Sequence, residues 1–238
     1  PLLVLVAAAG GGIRASFWTS LVLTRLADRA PEFRDALFAS SGVSGGSLGL
    51  GVFYGLLADP KHKCIDKDRH LEPCVLKFHQ YDFLAGPLAA TLAGYPANAL
   101  LPVFPSRNVA LEVSWERAWR DTVGTPDGDP DVFSSPMKEL WGSSGVARPL
   151  LLLNATSASS GERALAANVR IESWIGNKTS CKLNLVEEIA VPLSAAIGVS
   201  ARFPILSDLG WLKPRGSRGC PELEGLADGG YYDNYGAA

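Results

Sequence analysis

Residues Gly42-Val43-Ser44-Gly45-Gly46 satisfy the pattern G-x-S-x-G. A serine set between glycines in this way can attack an acyl carbon. The glycines let the chain turn sharply enough to lift the hydroxyl clear of its neighbours. A strand-like stretch, Ala36–Ala39, lies before it, and an apolar helical run from Ser47 to Leu57 follows. A flexible linker, the other use of such a stretch, needs neither neighbour. At the head of a helix, the partial positive charge of the first amides also favours a developing oxyanion.

A second glycine cluster, Gly10-Gly11-Gly12, admits two chemistries. Gly10, Gly12 and Ala15 fit the dinucleotide fingerprint G-x-G-x-x-G/A. That motif wants a carboxylate near the end of the next strand to hold a ribose, and Ser40-Ser41-Gly42 supplies none. The alternative is an oxyanion hole, in which the amides of Gly10, Gly11 and Gly12 join that of Gly45 around the pocket of Ser44. Each well-placed donor of this kind lowers a barrier by about 3–4 kcal/mol.

A serine nucleophile needs a base. The three histidines, His62, His70 and His79, all lie in or beside one polar loop. In the chain order of α/β-hydrolases the histidine comes last, and no histidine follows His79. Asp228, in Ala227-Asp228-Gly229-Gly230, is the remaining candidate. Burial can raise a carboxyl from its ordinary ~3.9 by several units. The glycines after it allow close approach to another element. Alone, Asp228 would read as a turn aspartate.

Taken in order, the glycine loop, the G-x-S-x-G and the D-G-G resemble the patatin-like phospholipase family. The resemblance extends to "LLLNAT" at 151–156, "PLSAAIGVSARFP" at 192–204 and the tail "DGGYYDNYG". It implies a three-layer α/β/α sandwich with a mostly parallel central sheet. It also implies hydrolysis of lipid acyl esters through a Ser–Asp dyad, without histidine, metal or cofactor. Carried over by motif, Ser44 is the nucleophile, Asp228 the base and Gly10, Gly11 and Gly12 the oxyanion loop. Arg14 takes the basic position after that loop and would orient it, while Gly42, Gly46, Gly229 and Gly230 support the turns. Ala15 departs from the glycine usual in the family. A transacylase would use the same dyad with an alcohol in place of water. A lipid-binding module on a degenerate hydrolase fold is the non-enzymatic alternative.

These residues need a scaffold. Residues 2–8 form a continuous apolar run ending in glycines, the mark of a strand buried on both faces in a parallel sheet. Residues 13–29 carry helical periodicity through Ile13, Phe17, Leu21, Leu23 and Leu26. With the strand before Ser44 and the helix after it, this makes a βαβα start. Pro149–Ala155 reads as another central strand, 157–163 as a turn and 164–171 as the strand returning. Residues 184–200 read as helix, kinked or interrupted by Pro192. The segment 83–106 has no charged residue, and Pro87, Pro96, Pro102 and Pro105 break it. It reads as a pair of short buried helices, or else as an apolar wall facing a lipid chain.

With 238 residues, 47% of them hydrophobic and 19% charged, the chain is globular and long enough for a large core. A net charge of -2 and the lack of a basic run argue against nucleic acid. The expected partner is a lipid substrate, with peripheral contact to a membrane surface. The first residues suit a strand better than a signal peptide, and the last three break off where a helix would begin. Residues 1–238 therefore read as a single catalytic domain cut from a longer chain and truncated at its C-terminal end, with membrane association and compartment left open. Cys64, Cys74, Cys181 and Cys220 could form two local disulfides or remain thiols. Their spacing with the histidines matches no familiar zinc pattern.

Overall fold

The computed structural model describes residues 2–58, 62–68, 70–94, 105–124, 131–140, 149–169, 181–182, 191–203, 207–212, 215–216 and 222–237. Its elements are β1 (Val4–Ala8), α1 (Gly12–Arg29), α2 (Pro31–Ala36), β2 (Leu37–Val43), α3 (Gly45–Ala58), α4 (Glu72–His79) and α5 (Ala85–Ala89). After these come α6 (Arg107–Ala118), β3 (Leu150–Ser157), β4 (Arg163–Ala167), β5 (Cys181–Lys182) and α7 (Leu193–Ser200). The last are β6 (Gly210–Leu212), β7 (Arg215–Gly216) and β8 (Glu224–Asp228).

The fold is mixed α/β. A six-stranded sheet runs β1-β2-β3-β8-β6, with β4 also paired to β3, and helices flank it. It is parallel from β1 to β3 and antiparallel beyond, so it is partly and not, as expected, mostly parallel. Strands β5 and β7 make a separate pair. Because β1, β2 and β3 succeed one another across the sheet, right-handed crossovers carry α1 and α3 to the same face. The two helices pack on each other, and α3 also meets β1, β2, α4 and α7.

That crowding explains the glycines of α3. The helix is apolar on all sides and buried from Gly45 to Leu56, so it runs through the core rather than over it. A Cβ at Gly49 would lie 2.6 Å from the Ser16 carbonyl, and one at Gly55 would lie 2.7 Å from the Trp119 ring. On the facing side of α1, Ser16, Ser20 and Thr24 are fully buried at intervals of four. Ser20 and Thr24 each donate a hydrogen bond to the carbonyl one turn back, at 2.8 and 2.5 Å. Small polar residues thus hold two helices close without leaving an unpaired hydroxyl. On the sheet, Ser40 bonds Tyr54 of α3 at 2.7 Å. Strand β1 is not buried on both faces as its apolar run implied: it lies at the end of the strand order, and Leu3, just before it, and Leu5 are exposed.

Three sequence expectations change in detail. Helix α7 does not run through Pro192 but starts directly after it, since proline suits a helix entrance and not its interior. Residues 184–190 of the expected helix lie outside the described residues. Strand β2 extends to Val43, so the sheet carries the chain right up to Ser44. The uncharged segment begins with α5, which continues into a π-helical turn over Ala90–Gly94. It is not a buried helix: Leu84, Leu88 and Leu92 are exposed at intervals of four. Its residues 95–104 lie outside the described residues.

Cys64 and Cys74 form a disulfide, so neither offers a thiolate to a metal. The side chains of Cys181 and Cys220 lie outside the described residues.

Candidate active site

Ser44 stands between the last residue of β2 and the first of α3. Its φ of 51° is the one positive value at a non-glycine position among the described residues. Such a left-handed conformation costs roughly 1–2 kcal/mol for an L-residue. It persists only where the surroundings hold it. The surroundings here are specific: the Ser44 amide donates to Ser200 Oγ at 3.1 Å. Gly45 then passes so close to the glycine loop that a Cβ would meet the Gly12 carbonyl, and a Cβ at Gly46 would meet that of Ala8. A Cβ at Gly42 would sit 2.8 Å from Leu50 and 2.9 Å from the Ser47 backbone.

Asp228 reaches the same place along the sheet. Val43 of β2 is paired with Asn154 of β3, and the next residue of β3, Ala155, is paired with Asp228. One strand thus serves first the elbow and then the aspartate. Asp228 is 4% exposed. Its amide donates to the Arg202 carbonyl at 2.9 Å and its carbonyl accepts from Thr156 Oγ1 at 2.9 Å. Oδ1 accepts from the Gly230 amide at 2.8 Å, while Oδ2 is buried without a hydrogen-bond partner of good geometry. Burial pushes this carboxyl above the ordinary carboxylate range; the Gly230 amide and the Ser44 hydroxyl pull it part of the way back. The Ser44 hydroxyl thus acts on the Asp228 carboxyl, whose second oxygen is buried without a hydrogen-bond partner among the described residues.

Gly229 explains the first glycine after the aspartate, because a Cβ there would meet the Asn154 carbonyl. A Cβ at Gly230 would sit 2.9 Å from Asn234 and 3.0 Å from Asp228 Oδ1.

The glycine loop needs one correction. The Gly10 amide donates to the Asn234 carbonyl at 2.9 Å and is not free for an oxyanion. Its Cβ position, 3.4 Å from that of Ser44, shows how tightly the loop covers the serine. Gly11 is the N-cap of α1, and Gly12 and Gly45 begin α1 and α3. Amides at those positions have no partner within their helices. Arg14 also departs from expectation. It is exposed on α1 and makes no hydrogen bond or ion pair among the described residues, so no polar bond ties it to the loop.

The histidines are engaged elsewhere. His62 Nε2 faces the Leu56 carbonyl at 3.0 Å, and His70 pairs with Asp66 at 3.1 Å. His79 lies between the Val75 carbonyl and Ser16 Oγ, 2.8 Å from each. The Val75 carbonyl can only accept, so Nδ1 carries the proton and Nε2 accepts from Ser16. Burial holds the His79 pKa down.

Sequence reasoning left Asn154, Arg163 and Ser200 without roles. Asn154 Nδ2 donates to Ser41 Oγ at 2.9 Å and to the Gly42 carbonyl at 2.7 Å, and its Oδ1 accepts from Arg163 Nε at 2.7 Å. It therefore ties the end of β2 to β3 and β4. The signal was present: Asn154 and Ser200 are buried polar residues inside the apolar runs "LLLLNA" and "AAIGVSA". Such residues are kept where their hydrogen bonds are specified.

No protein-family description matches the chain, and no curated protein does. Among solved structures, it is similar to VipD from Legionella pneumophila, with a TM-score of 0.38 and 13% identity. The likeness covers 98% of this chain and 46% of VipD, so the chain spans about half the length of that protein.

Proposed function

We propose that this chain is a serine acyl hydrolase of the patatin-like phospholipase type, cleaving fatty-acyl esters of lipids through Ser44 and Asp228. The observation that carries the reading is the pairing of a strained serine, φ 51°, with a buried carboxylate whose Oδ2 is unpartnered. Asp228 takes the hydroxyl proton as Ser44 attacks the ester carbonyl. The amides of Gly11, Gly12 and Gly45 stabilise the oxyanion. Asp228 then gives the proton to the leaving alcohol, which leaves an acyl-enzyme on Ser44. Water, deprotonated by the same carboxylate, releases the fatty acid and restores the serine.

A carboxylate at its ordinary pKa is a poor base for a hydroxyl. The burial that raises Asp228 improves the match. The lipid part of the reading is supported by exposed apolar side chains, Leu84, Leu88 and Leu92 on and beside α5 and Tyr231, Tyr232 and Tyr235 after the aspartate. The direct test is labelling with a fluorophosphonate probe followed by peptide mapping. The adduct is expected on Ser44 and to vanish in Asp228→Asn. A chain that hydrolyses esters while the probe maps to another serine would overturn the assignment.

A further inference from the structure

We propose that Ser200 is a positioning residue for the dyad: its hydroxyl joins the elbow to β3 and so sets where Ser44 stands relative to Asp228. The proposal rests on the reading of Ser44 as the nucleophile.

The direction of each bond follows from counting hydrogens. A hydroxyl has one hydrogen to donate and two lone pairs to accept with. The Asn154 carbonyl, 2.5 Å away, can only accept, so it takes the Ser200 hydrogen. The lone pairs are left for the Ser44 amide at 3.1 Å and the Ser47 hydroxyl at 2.7 Å. Ser200 is 1% exposed, so water does not substitute for any of these. Its capacity is filled by three groups on three pieces of backbone: the elbow, the first turn of α3, and β3 beside the residue paired with Asp228.

The same short stretch also reaches the base. Two residues after Ser200, the Arg202 carbonyl accepts the Asp228 amide at 2.9 Å. Arg202 is itself held by Glu112 of α6, 3.2 Å from its guanidinium. Residues 200–202 therefore touch both members of the dyad by hydrogen bonds to their backbone amides. Neither Ser200 nor Arg202 reaches the reacting atoms. Ser200 acts through the φ of Ser44, which relaxes when its amide is released.

Ser200→Ala, Ser200→Thr and Ser47→Ala are to be compared with the wild type well below each Tm. The readouts are kcat and KM on a short-chain nitrophenyl ester, the rate of Ser44 labelling by a fluorophosphonate, and amide hydrogen exchange at Ser44. Ser200→Ala is expected to lose protection at the Ser44 amide and to lower kcat about 10- to 100-fold with KM nearly unchanged. Labelling should slow in parallel. The acid limb of its pH–rate profile should move upward, because the hydroxyl that pulls Asp228 down has been displaced. Ser200→Thr keeps the hydroxyl and should recover most of kcat. Ser47→Ala removes one donor but neither the Ser44 nor the Asn154 bond, so its loss should be the smallest.

Wild-type kcat, labelling and Ser44 protection in Ser200→Ala would overturn the proposal. So would a loss that follows Tm alone and is not recovered by threonine. If Ser200→Ala does not fold, Ser200→Thr decides: a folded, Ser44-protected enzyme with wild-type kcat supports the clamp, and a folded one that keeps kcat without protection overturns it. A wild type that cleaves no ester and takes no label at Ser44 fells the nucleophile itself, and the positioning role with it.

Discussion

Asp228 carries the sharpest predictions at the level of single residues. Asp228→Asn keeps the shape but cannot accept the serine proton, so hydrolysis should fall by about 10³-fold or more, by analogy with disrupted triads. Asp233 is the internal comparison: its oxygens accept from the Tyr235 and Ala237 amides at 2.9 and 2.8 Å, a turn role. Asp233→Asn should retain most of kcat, and a loss as deep as that of Asp228→Asn would transfer the base to Asp233. The raised pKa also fixes a sign for stability. The folded chain binds the Asp228 proton more tightly than the unfolded chain, so this group's stabilising contribution is full below its unfolded pKa. It is lost as pH rises through the folded value. At pH 7–8 the buried charge is a burden that asparagine removes. Asp228→Asn should therefore melt higher than the wild type at pH 8, with the gap closing toward pH 4. A variant less stable at pH 8 would mean that the carboxylate is not strained by its burial.

Helices and loops carry predictions of a different kind. His79 joins α4 to α1 through Ser16 and sits away from the dyad's hydrogen bonds. His79→Gln should lower Tm yet leave kcat below Tm close to the wild-type value; lost turnover with an intact fold would reopen a histidine mechanism. The disulfide closes a loop of sequence separation 10, which corresponds to about 2–3 kcal/mol of chain entropy. Replacing both Cys64 and Cys74 by serine should cost on that order in chemical denaturation while kcat holds. The leucines on and beside α5 invert the pattern. Since Leu88 and Leu92 are exposed, glutamate at either should change stability by less than about 0.5 kcal/mol. On the lipid-facing reading, it should impair long-chain esters and vesicle substrates far more than short-chain esters. Equal losses at all chain lengths would return α5 to a merely structural role.

Across the whole molecule, what the sequence showed well was local. The strand, Ser44 and the helix are contiguous, and the turn's demand for glycine is written in the residues themselves. The leucines on and beside α5 were misjudged because an uncharged run says nothing about which side water occupies. The β3–β4 return was legible, but the antiparallel strands beyond it were hidden for another reason: the pairing of Ala155 with Asp228 joins segments far apart in the chain, and no local period encodes it. Gly10 illustrates the same limit, since nothing near it in sequence announces that Asn234 will claim its amide.

That late pairing has a consequence for how the chain is made. Among the described strands β8 is the last in chain order, and it carries Asp228 to a sheet in which β2 has already presented Ser44. Domains begin to fold during synthesis from the N-terminal side. A nascent chain that has left the ribosome only as far as β4 would hold Ser44 with no carboxylate beside it. On the proposed reading, Ser44 therefore stands without its base until β8 has paired with β3.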